Sequence, residues 1–305
     1  MNFTKGFTRI TLLFFLLASS FALHAQHNND SSIQVSYGKA QLSYLSNNVY
    51  NGRADSLASP YITPSLGYYN KSGFYIGGSL SYQPGSTGRR IDLVSIDIGY
   101  GFDITDNLSD SIYATKTFYN KQSTAIKSDI KELIGNDISY DFDIVQLSVG
   151  AELLIGTKTD VAFNAELSHI FKVGSKNGSW SFVPAASLNV SSLHFYEGYT
   201  TRKANKKLMQ SNPNISSINS LTTVSNPGIK LMDYELELPV TYESKKWGAF
   251  ITGTYAIPQN PIFTTTVTTK KVAGVTSTQT VDSTPFSERK LKNIFYAELG
   301  IYFKF

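Results

Sequence analysis

Between Ile91 and Ile104 the chain switches character at every residue. Val94, Ile96, Ile98, Tyr100, Phe102 and Ile104 are apolar, while Ser95, Asp97, Gly99, Gly101 and Asp103 are small or acidic. Side chains of a β-strand point alternately to its two faces, so such a strand is greasy on one side and polar on the other. The pattern returns over 140–155, where Val145, Leu147, Val149, Ala151, Leu153 and Ile155 oppose Gln146, Ser148, Gly150 and Glu152. It returns again over 161–171, with Phe163, Ala165 and Leu167 against Asn164, Glu166 and Ser168, and over 180–190 and 230–242. Period-two alternation over most of a chain predicts an all-β protein.

The expectation is ten strands, at about 61–69, 73–82, 91–104, 109–119, 140–155, 159–171, 180–195, 229–242, 247–256 and 294–305. Turn-forming clusters separate many of them, among them Asn70-Lys71-Ser72-Gly73, Asp106-Asn107 and Lys176-Asn177-Gly178. Lys116 interrupts the apolar face of the fourth. Ile126, Ile130, Leu133 and Ile134 predict a short helix over 123–134, inside a loop. Residues 199–228 and 257–290 are polar and rich in Ser, Thr, Asn and Pro, and are expected to be loops, the second with a hairpin over 264–269 and 275–281. Residues 32–45 also alternate, but the phase slips near Gly38. Counting them as a strand makes twelve, with 264–281 as the source of the other, and leaves 26–60 as either a lead-in or an extra strand.

The first 25 residues read as an address. Lys5 and Arg9 precede the apolar run Ile10–Leu17, and small residues lead to an expected cleavage after Ala25. The apolar run is too short to span a bilayer comfortably. Removing Lys5 and Arg9 takes the formal charge from +4 to +2, so nothing suggests a nucleic-acid partner. Charged residues make up only 16% of the chain and aromatics 13%, at a mean hydropathy of −0.14. These values fit apolar residues dispersed at period two rather than gathered into helices. The chain has no cysteine, which excludes disulfides, thiolate metal sites and thiol catalysis.

The C-terminus reads FYAELGIYFKF. Counting back from Phe305, the residues Phe303, Ile301, Leu299, Ala297 and Phe295 are apolar, and the other register holds Lys304, Tyr302, Gly300, Glu298 and Tyr296. This closing strand, with the leader and the strand series, resembles small Gram-negative outer-membrane β-barrel proteins (the outer membrane protein β-barrel domain families) over roughly Tyr61–Phe305. The resemblance implies a closed antiparallel up-and-down transmembrane β-barrel. It also implies that Phe295, Leu299, Ile301, Phe303 and Phe305 are the signal read by the barrel-assembly machinery. The physics agrees, because strands cross hydrocarbon only as a closed sheet and need about 9–11 residues to do so. Tyr61, Tyr68, Tyr69, Tyr75, Tyr82, Tyr242, Trp247 and Tyr255 are expected in interfacial girdles. A secreted soluble barrel binding a lipophilic ligand is the competing architecture.

With the apolar register toward lipid, Asp97, Glu152, Glu166, Glu235, Glu237 and Glu298 are expected to line the lumen. They suit either a narrow cation-favouring pore for small solutes or a plugged structural barrel. Arg202, Lys203, Lys206 and Lys207 are expected in an external loop, where they could meet lipopolysaccharide phosphates. Ser192 and His194, placed outward by register, loosely resemble the Ser/His pair of outer-membrane lipid hydrolases. The usual order is His-x-Ser, however, and no third orienting residue is identifiable. The expectation is a non-enzymatic monomer in the outer membrane, without cofactor or metal, in contact with lipid and lipopolysaccharide.

Overall fold

A strand in hydrocarbon must find a partner for every backbone N–H and C=O, and only a sheet joined to itself leaves no edge. The chain meets this demand with one antiparallel ladder. The computed structural model describes residues 35–54, 58–84, 89–123, 125–175, 177–212, 214–282 and 291–305. The leader through Ala25 lies outside them, as do Arg289 and Lys290. The wall strands are β1 (Tyr37–Leu45), β2 (Tyr61–Tyr69), β3 (Phe74–Gln83), β4 (Arg90–Asp103), β5 (Leu108–Tyr119) and β6 (Glu132–Asp141). They continue as β7 (Gln146–Ile155), β8 (Thr159–Ser168, resumed at Phe171–Ser175), β9 (Gly178–Phe182, resumed at Ala185–Ser191), β10 (Lys230–Glu243), β11 (Trp247–Pro258) and β12 (Ile294–Lys304). Each pairs with the next, and β1 pairs with β12 from Lys39↔Lys304 to Leu45↔Glu298.

The barrel therefore has twelve strands, not ten. One of the added pair is β1, which pairs without a slip from Tyr37 onward; the phase change near Gly38 arises because Tyr37 faces inward, stacked on Tyr69, while Leu42 and Tyr44 face lipid. The other is β6, which lies where a helix and the start of a single 140–155 strand were expected. Phe142–Val145 turns the chain between β6 and β7, with the Phe142 amide donating to the Val145 carbonyl at 2.9 Å. The 264–281 hairpin contributes no wall strand. Thr264–Val272 and Val275–Asp282 join Ile215–Val224 in a separate three-stranded sheet. The split at 142–145 also settles sidedness. The strand ends at 69 and 74, 103 and 108, 141 and 146, 175 and 178, and 243 and 247 all lie at one end, and those at 45 and 61, 83 and 90, 119 and 132, 155 and 159, 191 and 230, and 258 and 294 at the other. Short turns mark the periplasmic end and long loops the outer end.

The two faces of the wall differ as an outer-membrane barrel requires. Leu66, Ile76, Ile96, Ile98, Ile112, Ile134, Val149, Leu167, Leu236, Ile251, Leu299 and Phe303 are all exposed on the outside, where lipid covers them. Ser79, Ser95, Asp97, Ser139, Ser148, Glu166 and Glu235 are buried inside. A soluble lipid-carrying barrel would reverse these faces, so the protein is a transmembrane barrel of the outer membrane. Lys116 projects outward within the lipid-facing wall, where an unpaired lysine at the midplane costs about 2–4 kcal/mol. It forms an ion pair with Glu132 of the adjoining strand.

Tyr68, Trp247 and Tyr255 face outward, as a girdle requires, but Tyr61, Tyr69 and Tyr75 do not. They share the inward register with Thr63 and Ser79. Several inward tyrosines lie flat over a glycine on the paired strand: Tyr75 over Gly99, Tyr113 over Gly135, and Tyr302 over Gly248, where any Cβ would meet the ring within 2.5 Å.

Closure can be checked by cross-linking, since the native chain offers no competing thiol. Gln41→Cys with Tyr302→Cys, at paired positions of β1 and β12, is expected to oxidise to an intramolecular disulfide in the folded barrel. Thr63→Cys with Tyr302→Cys should not. The reverse result on non-reducing gels would indicate a ten-strand closure that begins at Tyr61.

Candidate functional site

The inward face is polar at mid-height and apolar at its outer rung. Leu45, Tyr61, Leu154, Ala162, Met232, Ala256 and Tyr296 ring the loop end of the lumen, with Leu93, Leu133 and Ile294 partly buried beside them. In sequence these are the places where alternation breaks and both faces turn apolar, as in Leu153-Leu154-Ile155 and Leu231-Met232. The collar gives the external loops a surface to pack on. Val49 and Tyr50 descend from the first loop, Ile126 and Ile130 from the third, and Phe195, Tyr196 and Tyr199 from a helix, α1 (Phe195–Ser211). Together they form one apolar cluster across the mouth. Burying a side chain of this size is worth about 1.5–3 kcal/mol.

One of these elements is a small hairpin. Val49-Tyr50 pairs with Arg53-Ala54 around Asn51-Gly52, the dipeptide that best accommodates positive φ at both turn positions. Asn51 has φ 50° and Gly52 has φ 68°. A Cβ on Gly52 would stand 2.8 Å from Cβ of Asp233 on the wall. Arg53 secures the hairpin by donating to the carbonyls of Met232 (3.1 Å), Gln259 (2.5 Å), Asn260 (2.7 Å) and its own turn residue Asn51. Asn51-Gly52 was the signal that could have revealed this element in the sequence.

Buried carboxylates hold the other loops. Asp92 accepts from Tyr61 (2.5 Å), Arg90 (2.6 Å) and Ser123 of the third loop (2.7 Å). Asp160 accepts from Ser192 Oγ (2.5 Å) and from the amides of His194 (2.9 Å) and Phe195 (2.7 Å), and it meets His194 Nδ1 at 3.0 Å. It thereby supplies the cap that α1 lacks within its own sequence, where an acid is also favoured by the helix dipole. This corrects the placement of Ser192 and His194, which sit at the barrel mouth rather than on the lipid face. Each is bound to Asp160, and a triad would need Ser hydrogen-bonded to the imidazole instead. His169 is half-buried, with Nδ1 against the Ile144 carbonyl.

The 199–228 region is α1 followed by the strand Ile215–Val224, not a loop. Arg202, Lys203, Lys206 and Lys207 therefore stand on a helix. Arg202 turns inward, donating to Ser128 Oγ at 2.5 Å and facing Asp129 at 3.5 Å. Lys203 reaches the Tyr199 hydroxyl at 3.1 Å, Lys206 is half-buried and Lys207 is exposed.

Below the cluster lies the acidic lumen. Asp97, Glu166, Glu235 and Glu237 are buried on the inward face, and Glu152 and Glu298 are half-buried there. Asp137, in the strand the sequence reading lacked, joins them. Strand hydroxyls satisfy part of the set: Thr115 donates to Asp97 at 2.7 Å and Tyr113 to Glu152 at 3.2 Å. Gly150 leaves the room in which Asn164 and Asp137 approach each other, since a Cβ there would meet both side chains within 2.2 Å. Strand cations of the inward face stand near its ends, Lys39 and Lys304 by the turns and Arg90 by the loops. Among the described residues no three His, Asp or Glu converge on a metal position.

No family model matches the chain, and no curated protein sequence matches it. Among solved structures it is similar to a KdgM porin, at 6% identity and TM-score 0.40 over 89% of this chain and 99% of that one. It is also similar to a NanC porin, at 8% identity and TM-score 0.42 over 88% and 100%, and to Salmonella typhi OmpF, at 10% identity and TM-score 0.27 over 88% and 97%. At these scores the barrel assignment rests on the closed ladder itself.

The plug yields a direct expectation. Gly52→Val strains a left-handed position by about 1–2 kcal/mol and drives a side chain into Asp233. A cysteine in place of Val49, which is fully buried, should resist a hydrophilic maleimide in the otherwise native barrel and react readily once Gly52→Val is added. Equal labelling in both backgrounds would mean that the hairpin does not occupy the mouth.

Proposed function

We propose that this protein is a non-enzymatic outer-membrane barrel whose acidic lumen admits small cationic solutes when its loop plug is displaced. The observation that carries the reading is the division of the inward face into an apolar, loop-packed mouth and a mid-height girdle of carboxylates without strand lysines or arginines. Carboxylates held in a confined lumen raise the local concentration of cations and repel anions. Eight-stranded barrels are filled by their own side chains and sixteen-stranded ones hold an open channel. A twelve-stranded wall has room for solute only where loops do not already fill it.

Two further parts of this reading concern the barrel's surroundings. Lys203, Lys206 and Lys207 on α1 lie at the outer end, where they can neutralise lipopolysaccharide phosphates, while Arg202 is engaged by the third loop. The apolar register of β12, from Phe295 to Phe305, is offered to the assembly machinery before closure.

Planar-bilayer recording tests the proposal. Wild type is expected to be closed for most of the record. A variant with residues 48–58 replaced by a short Gly-Ser linker should conduct steadily and favour potassium over chloride by about threefold or more. Adding Glu166→Gln and Glu237→Gln should erase most of that preference. A hairpin-deleted barrel that folds but stays silent would rule out transport and leave a structural surface barrel.

A further inference from the structure

The acidic lumen is not empty of cations, because one loop supplies its own. Lys127, from the third external loop, places its ammonium 5.9 Å from the centre of the Tyr50 ring. Glu152 and Asp97 attract it there, and burial pushes its pKa down to about 7 against that attraction. Tyr50 also roofs a cavity lined by Glu152, Glu166 and Glu237 together with Asn164 and Asn189, with about 40 Å³ open to water-sized groups. That is room for more than one water, and an ammonium group has about the size of a water.

Lys127 neutralises only part of this pocket. Glu166 and Glu237 are 3% and 6% exposed, and Oε1 of each is buried without a hydrogen-bond partner. A buried carboxylate oxygen left in this state costs free energy that a donor would recover. The carboxylates stand around a cavity instead of converging on a point, which suits a multi-donor organic cation better than a compact metal ion. An aromatic roof adds attraction for an alkylammonium.

We propose that this cavity is a binding site for the primary ammonium groups of an aliphatic amine, and that Lys127 is a tethered competitor for it. The inference rests on the cation-favouring lumen proposed above and names its ligand class. Within the pocket, one amine nitrogen donates to Glu166 and Glu237 beneath the Tyr50 ring. The Lys127 ammonium holds the Glu152 side until a solute bearing a second amine replaces it.

Spermidine binding to the detergent-solubilised full chain, followed by calorimetry at constant ionic strength, tests this directly. Lys127→Met keeps the side chain's length and removes its charge. It is expected to bind spermidine at least tenfold more tightly than wild type, whereas Lys127→Arg should bind as wild type does. Adding Glu166→Gln and Glu237→Gln to Lys127→Met should abolish the gain. Equal affinity of wild type and Lys127→Met, with both showing the heat-modifiable mobility of a folded barrel, would overturn the proposal. Should Lys127→Met not fold, Glu237→Gln in the wild-type background is expected to weaken spermidine binding at least fivefold, and an unchanged affinity overturns the proposal equally. Binding is read at equilibrium, without conduction. A hairpin-deleted barrel that conducts cations while Lys127→Met gains no affinity removes this site and spares the lumen reading, and the converse pattern spares the site.

Discussion

Pairing between Tyr37–Leu45 and Ile294–Lys304 is the interaction on which the rest of the molecule depends. Without it, β1 and β12 would each present a row of bare N–H and C=O groups to hydrocarbon, at several kcal/mol per group. With it, ten further strands are held at fixed register, and the register decides which side chains meet lipid. One residue of slip anywhere in the ladder would carry Asp97 or Glu235 to the outside. The chain's sidedness follows from the same closure. An even count returns the C-terminus to the end where β1 begins, and every long connection then falls at the opposite end.

The loops at that end are part of the core rather than ornaments of the wall. Because the inward register turns apolar at its outer rung, Val49, Tyr50, Ile126, Ile130 and Phe195 find a surface to bury against, as loops over a polar rim would not. Polar anchors fix their positions: Arg53 on the carbonyls of β10 and of the chain beyond β11, Asp92 on the third loop, Asp160 on α1. Each anchor pairs a buried charge or carboxylate with several donors or acceptors, which is the condition under which burying it is tolerable. The mid-lumen acids are less completely met. That contrast is what directs functional attention to the space between them.

Much of this architecture is legible in the sequence, and the limits have physical causes. The alternation of Ile91–Ile104 or Phe295–Phe305 reports one face in lipid and one in a polar interior, so those strands and the membrane assignment are plain. The strand Glu132–Asp141 is hidden because Leu133 and Ile134 are both apolar, one packing on the mouth cluster and one facing lipid, and that doublet mimics a helical stripe. Strand β1 is hidden because Tyr37 faces inward against Tyr69 while Leu42 and Tyr44 face lipid, so its aromatic and apolar residues change parity near Gly38 although the backbone register does not. The inward direction of Tyr61, Tyr69 and Tyr75 follows from parity, and a girdle expectation based on residue type alone misplaces them. The acids at mid-strand positions could be assigned to one register from sequence. Asp92 and Asp160 could not be singled out, because their roles depend on loops that fold back over them. Nor does local sequence show that Ser192 and His194 converge on Asp160, which is remote in the chain.

The packed mouth above the acidic lumen is open to direct measurement. Amide hydrogen exchange on the native barrel in lipid, resolved at Val49–Ala54, addresses it without altering the chain. Protection of these amides close to that of the neighbouring wall strands is expected, since the hairpin is paired, buried and tied by Arg53 to Met232, Gln259 and Asn260. Exchange within seconds, at the rate of an open surface loop, would contradict a mouth closed by its own loops.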